Sequence, residues 1–508
     1  MRLQDKYQVI VTGGGPSGIM AALASARAGA QTLLIERSAF LGGTATLSRI
    51  GPISPFQYKD EQVVRGLPQE FIDAMVRAGG ATGHMKCLNP YGTGSYVCIY
   101  NHEIYKYVAQ KMLTDAGVKI LFHTTVSGVL KKGNRLTGVV LSSKFGTSVL
   151  SAEIFVDATG DGDLAYLAGE GYEYGDGLGN VQPSSAMFEM ANVDTEKLYD
   201  YILRNPGEFG RLSDLVPFVE SPFQDQIYFV AQGYQSLVDE AVRRGELVFG
   251  RENVHTTTGL YPGVMHFNTA RISNYNTVNL VARSESELDG RRQIESIANF
   301  MVRRVPGYEH AYISSTEDEV GVRESRHIHG VYRLTGEDIL NNRKFDDVIA
   351  RGLFAIDIHG KRAAPGTETP KIAGAGGLWM DLKDAYDIPY RALVPKTVDG
   401  LLLAGRCISA DTMAFSSARV QGTLMGYSQA SGLAAALCVR YGVQPRALAP
   451  GILQEALIQM GASPYRDEKQ KAQEEAYADE QVRRFLSRRK HLITPEAFLA
   501  PYRQQKAI

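Results

Sequence analysis

Cysteine is scarce in this chain of 508 residues: Cys87, Cys98, Cys407 and Cys438 are the full set, and no two form a C-x-x-C pair. That excludes a dithiol redox motif and a zinc ribbon, leaving buried or idle thiols as the plain reading. An excess of charge is missing too. Lys plus Arg number 54 against 55 Asp plus Glu, a formal net charge of −1, which argues against a nucleic-acid surface or a polybasic membrane anchor. Long apolar runs are also absent; stretches such as "SGLAAALCV" near the C-terminus fall far short of the ~18 residues a membrane span needs. Only eight residues precede Val9, where the first strand is predicted. The expectation is therefore no secretory leader, no membrane partner and a cytoplasmic location. The length suits two or three domains with cores of their own.

Glycine, by contrast, is concentrated where it has a use. "VIVTGGGPSGIMAALASARAG" (residues 9–29) reads as a buried strand at Val9–Val11, a glycine turn, and an alanine-rich helix from Ile19 to Ala28. Gly13-x-Gly15-x-x-Gly18 lies between them, with Pro16 and Ser17 inside the turn. In such a turn the first glycine permits the bend and the second lets the backbone approach a pyrophosphate. The third allows the helix to pack closely on the strand, and the helix N-terminus offers free N–H groups to phosphate. A second strand, "QTLLIE", ends on Glu36, eighteen residues after Gly18, where a carboxylate can hold ribose hydroxyls. Arg37 follows and suits a phosphate, so this region alone leaves NAD, NADP and FAD open. Further along, "LGGTAT" supplies Gly42, Gly43 and Thr44, and "IFVDATGDGD" runs into Ala158, Thr159 and Gly160. "GLLLAGRCISA" ends in Gly405-Arg406, and the helical pattern "GTLMGYSQASGLAAAL" opens at Gly422.

Taken together these segments resemble the bacterial FAD-dependent oxidoreductase family, with its glutathione-reductase-type flavin fold and its relation to fumarate-reductase-like flavoproteins. The resemblance is carried by "GGGPSG", "LGGTAT", "VVRGLPQEF", "DATGDGD", "GVRESRHIHGVYRLT", "AIDIHG", "IPYRALVP" and "LLLAGRCISA", from about Val9 to Gly461. It implies an α/β architecture: a discontinuous Rossmann-like FAD-binding domain over 1–170 and 391–445, an inserted mixed α+β substrate domain over 171–390, and a helical tail over 446–508. It also implies FAD contacts through backbone around Val126 at the adenine end, and through the helix start that includes Gly422 and Leu424 beside the flavin ring. Thr44 and its neighbours include no histidine or cysteine where many covalent flavoproteins attach FAD, so a non-covalent cofactor is expected.

Residues 60–79 have helical apolar spacing at Val64, Leu67, Phe71, Ile72 and Met75. "GVKILFHTTVSGVLKKGNRLTGVVL" reads as strands joined by a Gly-Asn turn. "KIAGAGGLW" (371–379) has glycines but follows Pro370 and precedes no helical pattern, so a loop is predicted. With no second nucleotide motif, the electron acceptor is left open among oxygen, a quinone, a carrier protein and a nicotinamide bound without its own domain. The tail "DEKQKAQEEAYADEQVRRFLSRRKHL" suggests solvated helices, either packing and supporting a homo-oligomer or docking a partner.

Flavin chemistry asks the protein to hold the substrate's reacting carbon against the ring and to manage one proton. "AIDIHG" offers His359, a natural acid/base; Asp357, two residues away, can orient the ring only if the backbone bends. The alternative is a structural histidine. Arg419 in "SSARVQGTL" precedes the last helix, as an arginine does in fumarate-reductase-like flavoproteins that hold a substrate carboxylate; the alternative is a loop anchor. "GVRESRHIH", read as a strand, places Arg323, Ser325 and His327 on one face and Glu324, Arg326 and Ile328 on the other. Arg323 and Arg326 could clamp an anion with His327 on the substrate, or form an Arg–Glu network between domains. Tyr390 and Arg391 in "IPYRALVP" line the substrate cavity or act at a hinge. His327 and His329 find no third ligand, so no metal is expected.

The leading expectation is hydride transfer between flavin N5 and a small organic substrate, by oxidation of a C–H beside a hydroxyl or amine. Reduction of an activated C=C, flavin monooxygenation, and a redox-inactive binding or escort protein are the alternatives.

Overall fold

A computed structural model describes residues 6–88, 96–217, 226–273, 275–360 and 377–488. The candidate loop residues 371–376 and the tail beyond residue 488 lie outside the described residues.

The first strand is Lys6–Thr12 and the first helix is Pro16–Arg27. Strand Thr32–Ile35 pairs parallel with the first strand, and Lys119–Leu121 pairs parallel with Thr32–Ile35. On the other side of the first strand lies Gly146–Asp157, also parallel, and beyond its C-terminal half lies Leu401–Leu403. Both faces of these strands are covered. Val9, Val11, Leu34, Val156 and Leu402 belong to one core, and Ile10, Leu33, Ile35, Phe155 and Leu401 to another. This explains why the strands read as continuous apolar runs rather than alternating ones. The N-terminal half of Gly146–Asp157 turns antiparallel onto Arg135–Ser143, which pairs with Thr125–Lys132 across the Gly133–Asn134 turn. One strand therefore belongs to two arrangements: its exposed start to a ribbon, its buried end to the parallel sheet.

The first helix packs against Gln421–Tyr441, the helix predicted from its small residues. A Cβ at Gly432 would sit 1.9 Å from the Ala21 carbonyl oxygen, so the approach of the two helices requires that glycine. The pattern over 60–79 gives a shorter helix than expected, Leu67–Arg77. Gly66 takes a φ of 78° just before it, and Pro68 suits a first helical turn.

A second, antiparallel sheet has eight strands in the order Tyr312–Thr316, Ser184–Ala191, Met265–Ile272, Val254–Thr258, Phe229–Gly233, Phe209–Pro217, Met85–Leu88, Tyr96–Val97. The last two come from the segment expected within the FAD-binding part. One face carries Ala186, Phe188, Phe229, Ala231 and Phe267, packed on Ile294, Ile297 and Met301 of helix Leu280–Arg304. The alternate residues of the opposite face look into a large cavity. The C-terminal helix Glu468–Arg488 lies along the protein, with Ala478, Val482 and Leu486 buried and Glu474 accepting hydrogen bonds from Arg65 and the Gln62 amide.

Candidate functional site

A single continuous cavity of about 1020 Å³ runs from the glycine turn to the second sheet. At its first end Gly13 takes a φ of 96°, and a Cβ there would lie 2.4 Å from the Ala158 oxygen. A Cβ at Gly18 would lie 1.7 Å from the Gly13 oxygen, whereas one at Gly15 would meet only Gly43 Cα at 3.8 Å. Gly13 and Gly18 therefore make the turn, and Gly15 leaves open a lane beside Gly43. The helix behind it has no side-chain cap, and its first internal bond is from Ile19 N to the Gly15 oxygen. The Ser17 and Gly18 amides thus precede the hydrogen-bonded ladder.

Glu36 directly follows the second strand, is 5 % exposed, and accepts hydrogen bonds from the Gly14 amide at 2.6 Å and the Ser38 amide at 2.7 Å. Arg37 is paired with Glu319. Pro16, Ser17, Gly43, Thr44, Val126, Ala158, Thr159, Gly160, Gly405, Arg406 and Leu424 share the wall with Gly13, Gly15, Glu36 and Arg37. Gly18, Gly42 and Gly422 stand behind it: Gly42 donates to the Gly14 oxygen, and a Cβ at Gly422 would strike the Pro55 oxygen. Arg406 Nη2 reaches Asp161 Oδ1 at 3.0 Å, while its Nη1 and Gln421 Oε1 are buried with no protein partner. An extended dinucleotide fits this wall, because its polar atoms and open lane both want a ligand.

At the other end His359 Nε2 lies 3.1 Å from Asp357 Oδ2. The strand Ile356–Ile358 stops between them, which supplies the bend their pairing needs. His359 Nδ1 lies 3.5 Å from Arg271 Nη2. A guanidinium is always a donor, so Nδ1 carries the lone pair and Nε2–H donates to Asp357. Burial pushes His359 down to about 3 against the pull of Asp357, with Arg323 adding to the fall. Burial works against ionisation of Asp357, yet His359, Arg419 and Arg323 hold its carboxyl well below the ordinary range. Arg419 Nη2 donates to the Asp357 backbone oxygen at 3.1 Å and lies 3.5 Å from its carboxylate.

Arg323 donates to the Pro183 oxygen and to Ser185 Oγ, and burial together with Arg419 holds it well below the ordinary guanidinium range. The wall also carries Arg211, Arg251 and Arg271; burial, with Arg271 nearby, pushes Arg251 down to about 10. Among the described residues no carboxylate lies within ion-pair distance of Arg211, Arg251, Arg271 or Arg323. The cations crowd one another around a single carboxylate. That is an arrangement for an anion.

Four expected residues are placed elsewhere. Arg326 is not beside Arg323 at the cavity: it donates to the Asp161 oxygen and Asp163 Oδ1 and lies over the Tyr166 ring at 4.4 Å. Only Arg326–Ile328 is strand, so the expected two-faced alternation fails before it. His327 is 2 % exposed, 3.2 Å from Glu324 and against Phe415, away from the wall. Tyr390 donates to the Pro445 oxygen and Arg391 pairs with Asp347 at 2.9 Å. Both tie chain segments together outside the cavity. Two histidines share one carboxylate at His102 and His266, which lie 3.6 and 4.0 Å from Glu189 Oε1. His102 Nδ1 donates to the Ala45 oxygen. Burial opposes ionisation of Glu189, but His102 and His266 hold it down to about 2.

Arg211, Gln232, Arg251, His255, Asn268 and Arg271 also line the cavity, without belonging to any of the sequence motifs above. Gln232, His255 and Asn268 stand out as polar side chains within strands that are otherwise mostly buried, "FVAQG", "VHTTT" and "MHFNTARI", whereas Arg251 precedes the strand Val254–Thr258 and has no such local signal.

Fold and cavity define an α/β FAD-binding protein of the oxidoreductase class. The chain belongs to the FAD dependent oxidoreductase family, whose model it matches over residues 8–457; it is an enzyme and its cofactor is FAD. It is 29 % identical over 208 residues to the digeranylgeranylglycerophospholipid reductase of Methanocaldococcus jannaschii, covering 38 % of this chain and 47 % of that protein. It is 32 % identical over 162 residues to the thiamine thiazole synthase of Metallosphaera sedula, covering 30 % of this chain and 53 % of that protein. The chain thus spans about half the length of these curated relatives. A structural similarity extends to the myxobacterial chondrochloren halogenase CndH, with a TM-score of 0.45, 14 % identity, and coverage of 90 % of this chain and 79 % of that one. Among the described residues no helix is long and apolar enough to cross a membrane.

Proposed function

We propose that this enzyme oxidises a C–H beside a hydroxyl or amine in a small organic substrate that carries a carboxylate. In this reading the parallel sheet and its antiparallel ribbon form a glutathione-reductase-type FAD domain, and the second sheet covers the substrate. The Ser17 and Gly18 amides receive the diphosphate beside Gly15, Glu36 receives the ribose, Val126 borders the adenine, and Gln421 to Leu424 border the ring. FAD, when bound there, supplies the two-electron acceptor for the substrate's hydride.

The observation that carries this reading is the His359–Asp357 pair set among arginines at the helix that begins at Gln421. Arg323 and Arg419 hold the carboxylate and so fix the reacting carbon. The His359 ring is neutral, with the lone pair of Nδ1 turned toward Arg271, and Asp357 fixes the opposite nitrogen and stabilises the imidazolium once formed. The substrate's hydroxyl or amine proton passes to Nδ1 as its hydride leaves, so charge and electrons balance. Because Nε2–H is engaged by Asp357, Nδ1 accepts a proton rather than giving one once the substrate takes the place of Arg271 beside it, which supports oxidation over C=C reduction. The test is anaerobic bleaching of the flavin by a panel of hydroxy and amino carboxylates, in wild type and His359→Gln. A bleaching rate lowered by about 10²–10⁴-fold with flavin content intact is expected; an unchanged rate returns His359 to a structural role.

A further inference from the structure

The second sheet presents a polar rank to the cavity that the reaction above does not use. Arg211 lies opposite Gln232, and Gln232 opposite His255. The register Thr256↔Phe267 continues the rank to Asn268. Four adjacent strands therefore aim polar side chains at one strip of wall, at intervals of about 4.8 Å. Arg251 closes over the end of the strip, donating to the Asn268 backbone oxygen at 2.5 Å.

These groups are under-employed. Arg211 Nε, His255 Nδ1 and Asn268 Oδ1 are buried with no partner. His255 is pushed well below its ordinary range by burial and then by Arg251 and Arg211, so it stays neutral and can donate one N–H beside two guanidinium groups. Gln232 is partly occupied, donating to Asn253 Oδ1 at 3.0 Å. Two guanidinium groups on a cavity wall, with no carboxylate of the described residues within ion-pair distance of either, are expensive to bury; an incoming anion relieves both. The strip continues from the carboxylate clamp, and Arg211 stands at its far end. The charge of Arg251 is felt by Arg323 on one side and by His255 on the other, whereas that of Arg211 is felt by His255 and Cys87. Met187, Val230 and Ala270 share the wall with it, an apolar surface for the body of a substrate.

We infer that Arg211, Arg251 and His255 form a second anion subsite, and that the substrate is two-ended: a carboxylate at Arg323 and Arg419 and a second carboxylate or a phosphate at the sheet. This rests on the reading above for the first end only.

The test uses FAD-loaded protein, with flavin absorption changes and titration calorimetry as readouts. The one-ended probe is pentanoate; the two-ended probes are succinate, glutarate, adipate and pimelate, and phosphonobutyrate for a phosphate-type end. At least one two-ended probe should bind about tenfold or more tightly than pentanoate, about 1.4 kcal/mol. The combination of Arg211→Gln and Arg251→Gln should abolish that preference, with flavin content unchanged. A preference confined to phosphonobutyrate assigns the remote group as phosphate-like, and one confined to a dicarboxylate assigns it as carboxylate. The inference is overturned if every two-ended probe binds no better than pentanoate, if the double variant keeps the preference, or if it loses FAD instead. Arg419→Gln separates the two readings. Pentanoate binding unchanged in that variant defeats the clamp, while a preference that still depends on Arg211 and Arg251 leaves the sheet subsite standing.

Discussion

Two glycines three residues apart should fail for different reasons when each is replaced by alanine. At Gly15 the new methyl meets nothing nearer than Gly43 Cα at 3.8 Å, and its φ of −71° suits alanine. The FAD-free fold should change by less than about 1 kcal/mol, with a small gain possible through the unfolded chain. The methyl does occupy the lane between Gly15 and Gly43, beside the proposed diphosphate position. Losing one or two charge-assisted backbone bonds, each about 1.5–3 kcal/mol, weakens FAD by at least about tenfold and up to about 10⁴-fold. At Gly18 the methyl would lie 1.7 Å from the Gly13 oxygen, so turn and helix must part and the fold itself loses several kcal/mol, as overpacking does. FAD titration by fluorescence quenching, beside thermal unfolding of the FAD-free proteins, separates the two. Gly15→Ala binding FAD within threefold of wild type would refute the diphosphate assignment. Gly18→Ala melting with wild type would refute the packing argument.

Acid should unfold the protein earlier than its carboxylates alone require. Burial holds His84 and His266 at about 4 and His359 at about 3. The unfolded chain takes up these protons near 6.5, so stability is full above that pH and falls as pH drops toward about 4, by about 1.4 kcal/mol per unit of depression for each histidine. Urea midpoints of FAD-free protein at several pH values check this; a flat profile between pH 7 and 5 contradicts it. Glu317 runs the other way. Burial, with no hydrogen-bond partner on either oxygen, pushes it up to about 7. Its folded form is favoured at low pH and loses that advantage as pH rises through 4.5 to about 7. Glu317→Gln should therefore stabilise the protein at pH 8 by on the order of 1–3 kcal/mol, with the gain vanishing below pH 5. Equal gains at both pH values would indicate another cause.

Sequence alone determined those parts of the molecule that obey local rules. A glycine turn between an apolar strand and an alanine-rich helix can be read directly, since φ above zero and close approach each demand glycine within a few residues. Glu36 follows from strand length, and the Gln421–Tyr441 helix from small residues that allow it to touch the first helix. Tertiary structure decided what depends on partners distant along the chain. Arg211, Gln232 and His255 meet only because three strands pair in one register, and a slip of one residue would turn them from the cavity to the core. The same holds in reverse for Tyr390 and Arg391, whose motif is local but whose partners, Pro445 and Asp347, turn them away from the cavity. A dinucleotide turn is written within some ten residues. A substrate pocket is written in the pairing of strands, and pairing is a property of the folded chain.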